Sequence, residues 1–147
     1  MNLCDSNSLS VYRDKCDSLF DEDWMQECRD LVGVSDLISA CYIDYCLKPD
    51  EETLLNIYEA FFSACRETIG DQGPVCTWKT ELGLVSCENG KEWSACGSEC
   101  DVLSRCGSEP FCNRDRVLEG CFCPENTVWH EGSCLEIIEC PSSKLHL

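Results

Sequence analysis

Cys87-Glu-Asn-Gly-Lys-Glu-Trp-Ser-Ala-Cys96-Gly-Ser-Glu-Cys100 opens a stretch in which cysteine recurs at Cys106, Cys112, Gly120-Cys121-Phe-Cys123-Pro, Gly132-Ser-Cys134 and Cys140-Pro141. Helical periodicity vanishes here, and Gly, Pro, Ser and Asn recur. A segment too short to bury much apolar area, yet this dense in sulfur, reads as a loop framework held by bridges. The whole chain carries 16 cysteines in 147 residues, above the level that marks a disulfide scaffold. Such a chain divides into small stapled units, each too small to live on an apolar core of its own.

The sulfurs have two candidate fates, metal or disulfide. Structural zinc sites grip with cysteines two to four residues apart, most often Cys-x-x-Cys. Cys-x-x-Cys occurs nowhere in the chain: the nearest neighbours are Cys121-x-Cys123, Cys96-x3-Cys100 and Cys41-x4-Cys46, and only His130 and His146 could supplement them. The even count at wide spacing points instead to disulfides made in an oxidising, extracellular compartment. No cofactor and no metal are expected. Met1 to Phe20 is polar and lacks an apolar signal core. The chain therefore reads as an excised piece of a secreted protein with Met1 an added start, and residues 142–147 as a tail.

Charge removes further classes. With 28 Asp+Glu against 11 Lys+Arg the net charge is −17, which opposes the counterion release that nucleic-acid binding requires. No apolar run is long enough to span a bilayer. The acidic clusters Asp21-Glu22-Asp23 and Asp50-Glu51-Glu52 lack the spaced oxygen ligands of a calcium loop. They sit instead at expected helix starts, where carboxylates favour the helix dipole.

The first half reads as four short helices. One covers about Leu9 to Phe20. A second runs from an Asp21 cap to Val32, with Trp24, Cys28 and Leu31 on one face. Ser35 caps a third, with Leu37, Cys41 and Tyr45 on a stripe that Pro49 ends. The fourth runs from about Glu52 to Ile69, lined by Leu54, Ile57, Phe61 and Cys65, with Gly70 at its C-terminal cap. After Gly73-Pro74 the texture changes. The domain boundary is placed near Leu82 to Ser86, giving 1–82 as a helical domain, 83–141 as a loop-rich module and 142–147 as the tail. The fold class is small and disulfide-rich, all-α first and then with little regular structure.

The run from Cys87 to Pro141 resembles the trypsin-inhibitor-like cysteine-rich domain. Cys16, Cys28, Cys41-Tyr-Ile-Asp-Tyr-Cys46, Cys65 and the Val75 to Thr80 stretch around Trp78 resemble the eight-cysteine helical domain that precedes it in von Willebrand factor type D assemblies. Those assemblies build von Willebrand factor, gel-forming mucins, zonadhesin and tectorins. In the helical half the resemblance implies the pairs Cys4–Cys46, Cys16–Cys41 and Cys28–Cys65. In the second half it implies Cys87–Cys121, Cys100–Cys112, Cys106–Cys140 and Cys123–Cys134.

The chain departs from that pattern in two places. The link from the long helix to the segment after the Trp falls near Leu55 and Leu84 and is lost as a pair. The inhibitor-like module has nine cysteines where ten are usual, the missing one falling at or near Arg116, so Cys96 lacks its usual partner. Parity with the extra Cys76 favours Cys76–Cys96 as a bridge between the halves, and a bond from either to a neighbouring chain stays open. Each bridge closing some tens of residues adds roughly 3 kcal/mol by the chain-entropy account.

No catalytic constellation stands out. The thiols are oxidised, and His130, near Glu125 and Glu131, has no nucleophile nominated beside it. Trp24, Trp78, Trp93 and Trp129 read as packing against disulfides. Free-standing inhibitor-like domains block serine proteases with an exposed loop, and the residue two positions after its first cysteine enters the protease pocket. The resemblance places that loop at Asn113, Arg114 and Asp115, with Arg114 as the specificity residue for a trypsin-like enzyme. The loss of the cysteine at Arg116 removes one clamp, and inhibition depends on a preorganised loop. The expected role is thus non-enzymatic. The chain is a structural and interaction module of a secreted, adhesive or gel-forming extracellular glycoprotein, monomeric as a piece. Its expected partners are other extracellular proteins or neighbouring modules, with neither nucleic acid nor a membrane span. Protease inhibition is the alternative.

Overall fold

The computed structural model describes residues 6–107 and 111–141. They divide into two compact units, Met1–Val75 and Cys76–Leu147.

The first unit is helical: α1 (Ser6–Asp17), a 3₁₀ turn (Asp23–Met25), α2 (Gln26–Leu31), α3 (Ser35–Leu47) and α4 (Glu51–Ile69). Helix α4 organises it. Asp50 is its N-cap, with an extended backbone, and its carboxylate accepts from the Thr53 amide at 3.0 Å. Leu54, Ile57, Phe61 and Cys65 fall on one buried stripe, as their spacing predicts, with Phe62 beside them. Gly70 closes the helix at φ 78°, a backbone region that side chains disfavour. Around this stripe Phe20 sits with its ring centroid 4.4 Å from Phe61, and Trp24 stacks on Phe62 at 5.8 Å.

Two expected caps differ. The N-cap before the 3₁₀ turn is Glu22 rather than Asp21, and it makes no side-chain hydrogen bond. Ser35 is the first residue of α3, behind an N-cap at Val34. Leu31 is 47% exposed and so takes no part in the core stripe expected of it. Arg29 ties the entry segment to α2 in another way, donating to the carbonyls of Phe20 at 2.6 Å and Glu22 at 2.8 Å.

Beyond Gly73 the helical signal does not end. Pro74 opens a further helix, α5 (Pro74–Glu81), because a proline at the first helical position has no amide to leave unsatisfied and its φ is already helical. The compact units divide inside this helix. Cys76, on α5, is bonded to Cys96, on β1, and both fall in the second compact unit, while across the expected boundary near Leu82 to Ser86 the same bond links the two halves.

The rest of the second unit is built from short pieces: β1 (Glu92–Ser98), α6 (Glu99–Leu103), β2 (Val117–Phe122), β3 (Thr127–His130), β4 (Ser133–Glu136) and a closing 3₁₀ turn, Ile137–Glu139. Strands β1 and β2 pair antiparallel from Glu92↔Phe122 to Ser98↔Val117, with an irregularity between Ser94 and Gly97. There β1 spends one residue more than β2, the mark of a bulge. Trp93, Ala95 and Gly97 alternate inward along β1. Strands β3 and β4 form a separate antiparallel hairpin.

Candidate functional site

Sulfur is the site's framework. The described bonds are Cys16–Cys41, Cys28–Cys65, Cys76–Cys96, Cys87–Cys121, Cys100–Cys112, Cys106–Cys140 and Cys123–Cys134. The expected Cys4–Cys46 pair lies partly outside the described residues, because Cys4 is not among them. In the first unit the bonded sulfurs of Cys16, Cys28, Cys41 and Cys65 are fully enclosed at 0% exposure. In the second, Cys100 is as deeply buried, while Cys121 is exposed.

The loop nominated from the sequence is an exposed turn. The Arg116 amide donates to the Asn113 carbonyl at 3.2 Å, and the Asp115 amide donates to Asn113 Oδ1 at 2.9 Å. Arg114 and Asp115 occupy the two central positions of this turn, and both are exposed. The Cys100–Cys112 bond anchors its entry.

Its exit has no sulfur. At Arg116, where the resemblance expects a cysteine, Glu99 supplies a polar clamp instead. The Glu99 carboxylate accepts from the Asn113 amide at 2.9 Å and faces the Arg116 guanidinium at 3.6 Å, while the Glu99 amide donates to the Arg116 carbonyl at 3.2 Å. Sequence reasoning missed Glu99. The available signal was Ser98-x-x-Asp101, a reciprocal capping box that starts α6 and sets Glu99 at its first position.

All four tryptophans contact another ring or a cation, Trp24 through its stack on Phe62. Trp78 and Trp93 meet edge to face at 6.5 Å, and Lys79 Nζ lies 5.4 Å and 5.5 Å from their rings while pairing with Glu119 at 3.0 Å. Lys91 Nζ sits 4.3 Å from the Trp129 ring. His130 ends β3, 3.8 Å from Glu131. The acidic triplet at Asp50 is a working helix cap. A groove of about 630 Å³ lies in the second unit, with buried Trp93, Phe122 and Val128 among its apolar lining and exposed Glu92, Glu125 and Arg114 among its polar lining.

Titration is perturbed mainly in the first unit. Burial, aided by the nearby Glu22 charge, pushes the Tyr58 hydroxyl up to about 12, and that hydroxyl donates to the Leu19 carbonyl at 2.8 Å. The Asp50 carboxyl is held below its ordinary value, first by the Thr53 amide it caps. The Tyr42 hydroxyl is raised by the hydrogen bond it donates to Asp17.

No protein-family model matches the chain. Curated proteins do. SCO-spondin of Gallus gallus is 33% identical over 136 residues, 88% of this chain, and Mucin-2 of Homo sapiens is 30% identical over 139 residues, 90% of it. Von Willebrand factor of Bos taurus is 26% identical over 137 residues, 90% of the chain. The chain belongs with the modules of von Willebrand factor type D assemblies. It spans only 2% of that SCO-spondin and 3% of that Mucin-2. Like its relatives in these assemblies it is a secreted, extracellular polypeptide, in keeping with its disulfide content.

Proposed function

We propose that this type D assembly module is non-enzymatic and architectural, spacing and orienting neighbouring modules of an adhesive or gel-forming glycoprotein. Its partners are other extracellular proteins or adjoining modules of the same parent chain. On this reading residues 1–82 act as the helical eight-cysteine domain and 83–141 as the inhibitor-like domain. Eight intrachain bridges, Cys4–Cys46 included, keep the piece monomeric. The observation that carries the reading is the sulfur framework. Both compact units are crosslinked internally, which suits a part that must hold its shape within a large extracellular polymer. The −17 charge adds a surface that resists indiscriminate self-association.

The protease-inhibitor reading of the Arg114 loop draws less support. Its exit is tied by a surface ion pair and hydrogen bonds rather than a covalent bond, and a substrate-like inhibitor relies on a rigid, preorganised backbone.

Light scattering of the non-reduced chain, combined with mapping of its crosslinked peptides, tests the proposal. A monomer with Cys76 joined to Cys96 and Cys4 joined to Cys46 is expected. A covalent dimer through Cys76 or Cys96 would overturn the self-contained architecture.

A further inference from the structure

We propose that the Arg114–Asp115 peptide bond is a cleavage site for trypsin-like serine proteases, and that hydrolysis there turns the second unit into a two-chain form without releasing either piece. A protease of this class needs a basic side chain on a backbone it can draw into an extended conformation. Exposed turn tips satisfy that need far more readily than helices or paired strands.

The described cations separate cleanly on this criterion. Arg13 and Lys15 lie on α1, Arg29 on α2, Arg66 on α4 and Lys79 on α5. Lys48 precedes Pro49, whose tertiary nitrogen makes a poor leaving side. Lys91 is drawn over the Trp129 ring and leads directly into β1. Arg105 bridges to Trp129 and donates to the carbonyls of Val102 and Ser104. Arg116 is tied through its amide, its carbonyl and its guanidinium, and the next residue enters β2. Arg114 alone among the described cations sits at the centre of an exposed turn. Drawing that turn open breaks the two hydrogen bonds accepted by Asn113.

The chemistry consumes one water. The protease serine attacks the Arg114 carbonyl, and the Asp115 amine departs with a proton. Water then frees the acyl-enzyme, leaving a carboxylate on Arg114. Two bridges cross the broken bond, Cys87–Cys121 and Cys106–Cys140, whereas Cys100–Cys112 and Cys123–Cys134 lie wholly on one side. The pieces stay joined.

The same geometry explains turnover rather than inhibition. An inhibitor holds its new ends opposed so that the bond reseals. Here no covalent bond holds the trailing end. Once the Arg116 amide has left the Asn113 carbonyl, the hydrogen bond from the Glu99 amide to the Arg116 carbonyl and a surface Glu99–Arg116 ion pair at 3.6 Å remain, and the ion pair is of small worth in water. The ends separate and the protease moves on. The new carboxylate forms on a residue that lines the 630 Å³ groove, so cleavage resets the charge of that wall.

The test is a time course of the full, non-reduced chain with trypsin at catalytic ratio, followed by mass spectrometry with and without reduction. One molecule should persist without reductant, and reduction should split it into 1–114 and 115–147. Arg114→Gln should abolish this cut, whereas Arg116→Gln should keep or hasten it, with circular dichroism confirming that both variants fold. A first cut elsewhere would overturn the proposal. So would resistance at Arg114 when the reduced, alkylated chain is digested, or stoichiometric loss of trypsin activity with the chain uncut. Stoichiometric inhibition would also favour the inhibitor reading over the architectural one, whereas the other outcomes leave the architectural role untouched.

Discussion

At the scale of single residues, two positions test how tightly the units are specified. Gly97 is buried on β1 at the bulge, and a Cβ placed there would run into the Phe122 ring. Phe122 is itself only 8% exposed and has little room to yield. Gly97→Ala should therefore cost about 1–3 kcal/mol by overpacking. The control is Gly120→Ala, whose Cβ would lie 3.8 Å from the same ring, an ordinary contact, so its urea midpoint should barely move. Equal effects of the two substitutions would refute the steric account. In the other unit the Tyr58 hydroxyl titrates near 12 rather than at its ordinary 10.0. The folded state thus favours the neutral form. The stability this contributes is complete below pH 10 and is lost as pH rises through about 12. Tyr58→Phe should lose about 1 kcal/mol at neutral pH with the hydrogen bond to Leu19. It should also flatten the alkaline fall in melting temperature. A wild-type tyrosinate absorbance curve with every hydroxyl ionising near 10 would remove the basis for this prediction.

Elements differ in how far they can be read from the sequence. Helix α4 was legible in its buried stripe, its terminal glycine and its acidic start, because each obeys local rules, although the Asp50 side-chain cap itself was not named. Asp50→Ala should lower the melting temperature, while Asp50→Asn, which keeps an acceptor for the Thr53 amide, should not. Since the Asp50 carboxyl is held low in the folded state, its contribution is present above its ordinary value and fades as pH falls through the folded one. Wild type and Asp50→Ala should accordingly converge in acid. Helix α5 was illegible for a reason that is physical too. Gly73-Pro74 can end one segment or begin another, and only packing of Val75 and Trp78, at 2% and 5% exposure, decides for a helix. Helix α6 is five residues long, too short for periodicity to show. The β1–β2 register and the Glu99–Arg116 clamp join residues far apart in sequence. No local propensity encodes them, so the loop was nominated from its cysteines while the group that holds it shut was not.

At the scale of the molecule, the two compact units bury their sulfurs differently, and that difference predicts the order in which they fail. Exchange requires a thiolate to reach a disulfide sulfur along the bond axis, so access limits the rate as much as bond strength does. The sulfurs of Cys16–Cys41 and Cys28–Cys65 are sealed at 0% exposure, so attack on them must wait for the helical unit to open. Cys121 is exposed, and Cys87 is half-buried, so their bond is open to attack from the folded state. A graded series of reductant without denaturant, quenched by alkylation and mapped by mass spectrometry, should label Cys87 and Cys121 before Cys16, Cys28, Cys41 or Cys65. Far-ultraviolet helicity should persist through that first step and collapse with the second. If all the bonds yield together, the units are not independent in stability, and a reduced second unit cannot coexist with an intact helical one. If the buried pairs yield first, strain rather than access governs the order. The expected sequence follows from placing hydrophobic helices around one set of crosslinks and thin hairpins around the other. On this account the helical unit should stay intact after the Cys87–Cys121 bond of the second unit has been reduced.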